Sequence, residues 1–92
     1  MMFTIRYSGQ FKRSYKVCKK RGYDMSKLAT VIRILVETGE LPERYKPHKL
    51  VGKQWAGYWE CHIEPDWLLV WDKNDTDLVL LLMDTGTHSD LF

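Results

Sequence analysis

Several features that would direct this chain to a specialised environment or chemistry are missing. Cysteine is scarce: Cys18 and Cys61 stand far apart and form no CxxC pair, so both are expected as reduced thiols in a core. No apolar run approaches the roughly 18 to 20 residues that cross a bilayer. The opening Met-Met-Phe-Thr-Ile-Arg lacks the basic-then-apolar layout of a secretory signal. The cytoplasm is therefore the expected compartment, with no membrane partner. GxSxG, a Gly-rich phosphate loop and HExxH are all absent, which leaves serine hydrolase, nucleotidase and zincin chemistries without support. No repeat or low-complexity tract interrupts the 92 residues, and a single domain over 1–92 is expected.

Acidic residues are also sparse in one half. Residues 1–53 hold 13 Lys and Arg against 4 acids, a balance of +9, whereas residues 54–92 hold Lys73 against 8 acids, a balance of −7. The net charge of +2 conceals this asymmetry. It fits a basic surface aimed at a polyanion, or else a solvated helix face.

What is present suffices for one modest core, with 45% apolar and 13% aromatic residues. Phe3 to Tyr7 alternates as a strand. Ser8 can cap a helix over 10–21 in which Phe11, Tyr15 and Cys18 recur at i, i+4, i+7, with Gly22 as its stop. Asp24 can cap a second helix with Leu28, Val31, Ile32 and Leu35 on one stripe, ended by Gly39. The short joint makes the two helices antiparallel neighbours. Strands over 59–63 and 67–72 form a hairpin, and the apolar run Leu78–Met83 returns as an interior strand. The last residues suit one helical turn capped by Ser89. The fold class is α+β: two N-terminal helices on a mostly antiparallel sheet of about four strands.

Two stretches carry candidate chemistry. The connection from Pro42 to Gly57 interleaves Arg44, Lys46, Lys49 and Lys53 with Tyr45, His48 and Trp55. Cations on phosphates and rings on bases suit a single-stranded nucleic acid. In the hairpin, alternation puts Tyr58, Glu60 and His62 on one face and Trp59, Cys61 and Ile63 on the other. The turn Glu64-Pro-Asp-Trp67 then brings His62 and Asp66 to one end, with Trp67 beside them. With His48 and His88, three imidazoles lie near strand ends, each poised for proton transfer at neutral pH. Two chemistries fit: metal binding by the imidazoles with Asp66 or Cys61, or metal-free RNA scission by a base, an acid and cations on the phosphate.

The chain resembles YafQ-like members of the RelE family of bacterial toxins. The resemblance runs through Tyr7-Ser-Gly-Gln10, Lys20-Arg21, Asp24-Met25, Lys27-Leu28, Tyr45-Lys46, His48, Gly57-Tyr58, His62, Glu64-Pro-Asp-Trp67, Thr85-Gly-Thr-His88 and Leu91-Phe92. It implies a ribosome-dependent, metal-independent mRNA endoribonuclease that needs no cofactor and is neutralised by an antitoxin. Residue by residue, it carries the family's site to His48, His62, Asp66, Trp67, His88 and Phe92. His48 and Asp66 then stand on the base side and His88 is the acid. His62 orients or stabilises, Trp67 stacks or packs near the base, and Phe92 meets substrate. Members often carry Arg before Thr-Gly-Thr-His, where this chain has Asp84. An acid there is expected to repel the phosphate, so Arg44, Lys49 or Lys53 becomes the expected source of the missing cation. The alternative is a non-catalytic RNA- or partner-binding domain of the same fold, and a small metallohydrolase survives if the histidines converge on an ion.

Overall fold

The computed structural model describes residues 2–52 and 54–92. Strand β1 (Thr4–Tyr7) leads into helices α1 (Gly9–Lys20) and α2 (Met25–Thr38). A single 3-10 turn, Glu43–Tyr45, precedes β2 (His48–Lys49); then come β3 (Trp59–Glu64), β4 (Trp67–Asn74), β5 (Val79–Gly86) and α3 (His88–Leu91). The five strands form one mixed sheet in the order β1-β5-β4-β3-β2, in which only the β1–β5 pairing is parallel.

Both long helices start and stop where their caps require. The Ser8 hydroxyl accepts the Phe11 N–H at 2.9 Å and donates to the Met83 carbonyl at 2.7 Å, so the cap of α1 also ties the helix to β5. Asp24 accepts the Ser26 N–H to open α2, and Gly39 closes it with φ +75°. A Cβ at Gly39 would lie 2.6 Å from the Phe3 ring, so glycine serves both the left-handed cap and the close approach of β1.

The two faces of the sheet are covered differently. Phe11, Leu28, Val31 and Leu35 from the helices meet Cys61, Ile63, Leu69, Trp71, Leu80 and Leu82 in the main core. On the opposite face, Leu68, Val70 and Leu91 form a smaller cluster with Leu50, Trp55, Tyr58 and Met83. β4 is thus apolar on both sides, and its residues Trp67–Trp71 are all buried. β5 also lies inside the sheet, as its apolar run requires.

Four features depart from the sequence expectation or add to it. A fifth strand appears, because His48 and Lys49 pair with Glu60 and Trp59 inside the connection expected to be irregular. The terminal helix is capped by Thr87 instead of Ser89. The Thr87 hydroxyl accepts the Asp90 N–H, and the Asp90 carboxylate accepts the Thr87 N–H, a reciprocal capping box. The first strand runs parallel to its neighbour. Finally, α1 and α2 leave between them an apolar groove of about 830 Å³, with Phe11, Tyr15, Leu28 and Ile32 in its wall and Lys12, Lys16, Lys19 and Arg33 along it.

Candidate active site

Strand alternation builds the first half of the site. With Cys61 and Ile63 turned into the main core, Glu60 and His62 face the other way. β2 pairs antiparallel with β3 so that His48 stands directly opposite Glu60, and paired residues share a face. His48 Nε2 lies 3.2 Å from Glu60 Oε1, and His62 Nε2 lies 3.9 Å from the same oxygen. Each ring's other nitrogen faces a backbone carbonyl: His48 Nδ1 is 2.8 Å from Lys46 O, and His62 Nδ1 is 3.3 Å from Pro65 O. Lys46 adopts φ +51° to close the 3-10 turn and aim that carbonyl. The two imidazole centroids are 6.3 Å apart.

The second half joins the hairpin turn to α3. Asp66, in the two-residue turn between β3 and β4, accepts the His88 backbone N–H at 3.0 Å and faces His88 Nδ1 at 2.7 Å through one oxygen, Oδ1. A ring nitrogen opposite a carboxylate is the donor, which leaves Nε2 of His88 as the outward, working nitrogen. The His88 amide first, and its ring second, hold the Asp66 carboxyl below the ordinary aspartate value. His62 completes the row, 5.7 Å centroid to centroid from His88.

His48, His62, Asp66 and His88 are therefore brought together, and Glu60 joins them. Sequence reasoning placed Glu60 on the face of His62 and left it outside the site; the i, i+2 spacing was the available signal. It is 4% exposed, and its Oε2 has no hydrogen-bond partner among the described residues. A buried carboxylate with one free oxygen is costly unless cations answer it, and the two imidazoles are the groups in reach.

The remaining candidates separate. Phe92 donates its N–H to the His88 carbonyl at 2.9 Å and is itself 61% exposed. Lys46 remains exposed next to His48. Trp67 is a correction: it is 2% exposed, donates its indole N–H to Thr85 Oγ1 at 2.9 Å, and meets Tyr23 edge-on at 4.8 Å. It is a core residue beneath the site and has no face to stack on a base. Lys49 is another, since it pairs with Trp59 on the helix side, its Nζ 5.7 Å from that ring and turned away from the imidazoles. Arg44 stacks over Tyr45 at 4.7 Å and lines a cavity with Lys27, Thr30 and Ile63, also on the helix side. Lys53 lies outside the described residues.

Asp84 requires the largest revision. It is 6% exposed, and its Oδ1 accepts the Ser14 hydroxyl at 2.5 Å and the Thr85 N–H at 2.8 Å. The carboxylate is occupied in joining β5 to α1 and has no surface from which to repel a phosphate. Among the described residues, no group of three or more His, Cys, Asp or Glu side chains is arranged to hold an ion. Both cysteines are buried and free, and burial pushes the Cys61 thiol far up. Among the same residues, no helix is long and apolar enough to cross a membrane.

Residues 3–92 match the family described as the bacterial toxin of a type II toxin–antitoxin system, YafQ. The chain is 44% identical over 89 residues to the mRNA interferase toxin YafQ of Escherichia coli K12, covering 96% of this chain and 94% of that protein. It superposes on a chain of the E. coli DinJ–YafQ toxin–antitoxin complex with a TM-score of 0.89 at 40% identity, covering 100% of this chain and 99% of that one. A metal-bound toxin from Helicobacter pylori matches with a TM-score of 0.88 at 36% identity, covering 99% of this chain and 100% of that one. The chain thus belongs to the YafQ family of bacterial type II toxin–antitoxin toxins.

Proposed function

We propose that this protein is a ribosome-dependent mRNA interferase that cuts RNA by metal-independent acid–base chemistry and is neutralised by a cognate antitoxin. One observation carries the reading: His48, Glu60, His62, His88 and Asp66 form a continuous row at one end of the sheet, with His88 Nδ1 anchored 2.7 Å from Asp66. The base takes the proton of a ribose 2′-hydroxyl, whose oxygen attacks the adjacent phosphorus. The bond from phosphorus to the 5′-oxygen breaks, and the acid protonates the departing oxygen. A 2′,3′-cyclic phosphate and a 5′-hydroxyl result, and no water or metal is consumed.

Hydrogen bonding divides the roles. His88, held through Nδ1 by Asp66, presents Nε2 as the acid. This moves Asp66 from the base side, where sequence reasoning put it, to the orientation of the acid. His48 has acceptors beside both nitrogens, Lys46 O and Glu60 Oε1, and its part is to hold the phosphate by hydrogen bonding. His62 keeps Nδ1–H on Pro65 O and uses Nε2 as the base, with Glu60 Oε1 at 3.9 Å to favour the imidazolium that forms.

The row is open. His88 and Asp66 side chains are 54% and 66% exposed, and the 830 Å³ groove lies on the helix side. A site with no far wall suits an enzyme whose substrate arrives in a larger particle that supplies the wall, and the ribosome is that particle. The groove itself, apolar along its floor with four cations against Glu37, has the chemistry for an acidic amphipathic segment of the antitoxin. The non-catalytic alternative rested on Asp84, which is buried and bonded to Ser14 and the Thr85 amide.

The test is cleavage of mRNA in ribosomes programmed with the purified protein. Products should end in cyclic phosphate and form in EDTA-treated reactions that retain the magnesium the ribosome needs. Cleavage that disappears with a stoichiometrically bound transition metal, and returns with it, would replace this mechanism by a metallohydrolase one.

A further inference from the structure

α3 has four residues, too few to hold its place by its own hydrogen bonds, yet its first residue is His88. Its position is set at the other end, by Asp90. Asp90 Oδ2 accepts the Thr87 N–H at 2.8 Å and Arg21 Nη1 at 2.6 Å, while Oδ1 accepts Arg21 Nη2 at 3.0 Å. This is a two-pronged guanidinium–carboxylate pair, the geometry that fixes orientation as well as distance. Arg21 is itself fixed as the C-cap of α1, its backbone N–H bonded to the Lys19 and Val17 carbonyls. The space for the pair is cut in advance: a Cβ on Gly86 would lie 2.7 Å from Asp90 Oδ2 and 3.0 Å from its Cβ.

We propose that Arg21 is a positioning residue for His88, clamping α3 through Asp90 so that the His88 amide and ring stay on Asp66. The inference rests on the reading of His88 as the acid. α1 is otherwise a scaffold helix packed on β5, and its basic C-terminus belongs to the half of the chain whose charge fits either a polyanion-binding surface or a solvated face. Arg21 has two of its guanidinium nitrogens engaged by Asp90, so it acts on the reaction through α3 and not by touching RNA.

Three variants separate the clamp from a phosphate contact: Arg21→Gln, Asp90→Asn and the reversed pair Arg21→Asp with Asp90→Arg. Asp90→Asn keeps an acceptor for the Thr87 N–H and loses only the charge pair. In ribosome-dependent cleavage, each single variant should lower kcat about ten- to a hundredfold with KM unchanged, the scale of a misplaced catalytic group. Arg21→Gln with Asp90→Asn should be no worse than the poorer single variant, and the reversed pair should recover part of the rate. A carbon-detected NMR titration of the Asp66 carboxyl gives a readout independent of catalysis. Its midpoint should rise toward the ordinary aspartate value in either single variant, because its first donor, the His88 amide, moves away.

A phosphate-binding Arg21 gives opposite signs: Arg21→Gln raises KM at constant kcat, and Asp90→Asn lowers KM by freeing the cation. That pattern, or an Asp66 titration unmoved in both single variants, overturns the proposal. Should Arg21→Gln fail to fold, Asp90→Asn carries both measurements. If the wild-type protein cuts no mRNA on ribosomes, the functional reading fails, and the Asp66 titration still decides the clamp.

Discussion

Two carboxylates organise the histidines, and they do it in opposite surroundings. Asp66 sits in an exposed turn, its side chain 66% accessible, and gives one oxygen to both the amide and the ring of His88. Glu60 is the second residue of β3, with its side chain 5% accessible, reaching His48 at 3.2 Å and leaving Oε2 without a partner among the described residues. The exposed carboxylate costs little to hold and chiefly sets direction, because water screens its charge. The buried one is expensive without a cation, so it chiefly sets charge. In the proposed mechanism, the acid and the phosphate-facing side of the site are thus tuned by different physics, with His62 between them.

The largest effect should come from the exposed side. His88→Ala removes the acid and should lower ribosome-dependent cleavage by about 10²- to 10⁴-fold, the usual share of a general acid. Unchanged cleavage at matched concentration would remove His88 from the mechanism. Glu60→Gln probes the buried side and should move two observables in opposite directions. Cleavage should fall about ten- to a hundredfold as His48 and His62 lose their carboxylate partner, while thermal stability should hold or rise once the buried carboxylate is gone. A loss of both together would mark Glu60 as a structural residue only.

Asp84→Arg tests whether the departure from the family pattern limits activity. Because Asp84 is buried against Ser14, the substitution should lower the melting temperature and leave cleavage no faster. A marked gain in rate would put position 84 back at the phosphate. The acid limb of stability tests the exposed carboxylates. Asp66 and Asp90 are both held below the ordinary value, Asp66 by His88 and Asp90 mainly by the Arg21 guanidinium. A depressed carboxyl contributes stability above its unfolded pKa of about 3.9, and that contribution fades as pH falls through the folded value. Asp90→Asn should therefore flatten the decline in melting temperature below about pH 4. An identical decline in wild type and variant would show that the pair adds nothing to folding. The smallest effect concerns the lysines of the connection. Lys46→Ala should reduce the salt dependence of ribosome binding by a slope of about 1, and Lys49→Ala, turned to the helix side, should leave it unchanged. Equal slopes for the two would mean that strand pairing does not sort these charges.

The sequence by itself determined the elements and the faces. Ser8, Asp24 and Gly39 delimited the helices because capping is local chemistry, read within three or four residues. Alternation along 59–63 separated His62 from Cys61 and Ile63 because side-chain direction in a strand follows backbone geometry alone. Motif likeness placed His48, His62, Asp66 and His88 on one list. Tertiary structure decided everything that depends on which distant segment arrives alongside. Two residues, His48 and Lys49, became a strand because β3 offered an edge, and that pairing sent one inward to Glu60 and the other to Trp59. Trp67, read as a partner for a base, was enclosed because β4 is covered on both faces. Asp84, read as a liability, was buried because α1 brought Ser14 across to it. The pairing of Asp66 with His88, and of Arg21 with Asp90, joins residues 22 and 69 positions apart. Local preferences carry no information about such contacts, since their geometry exists only after the sheet has formed and the chain end has folded back onto it.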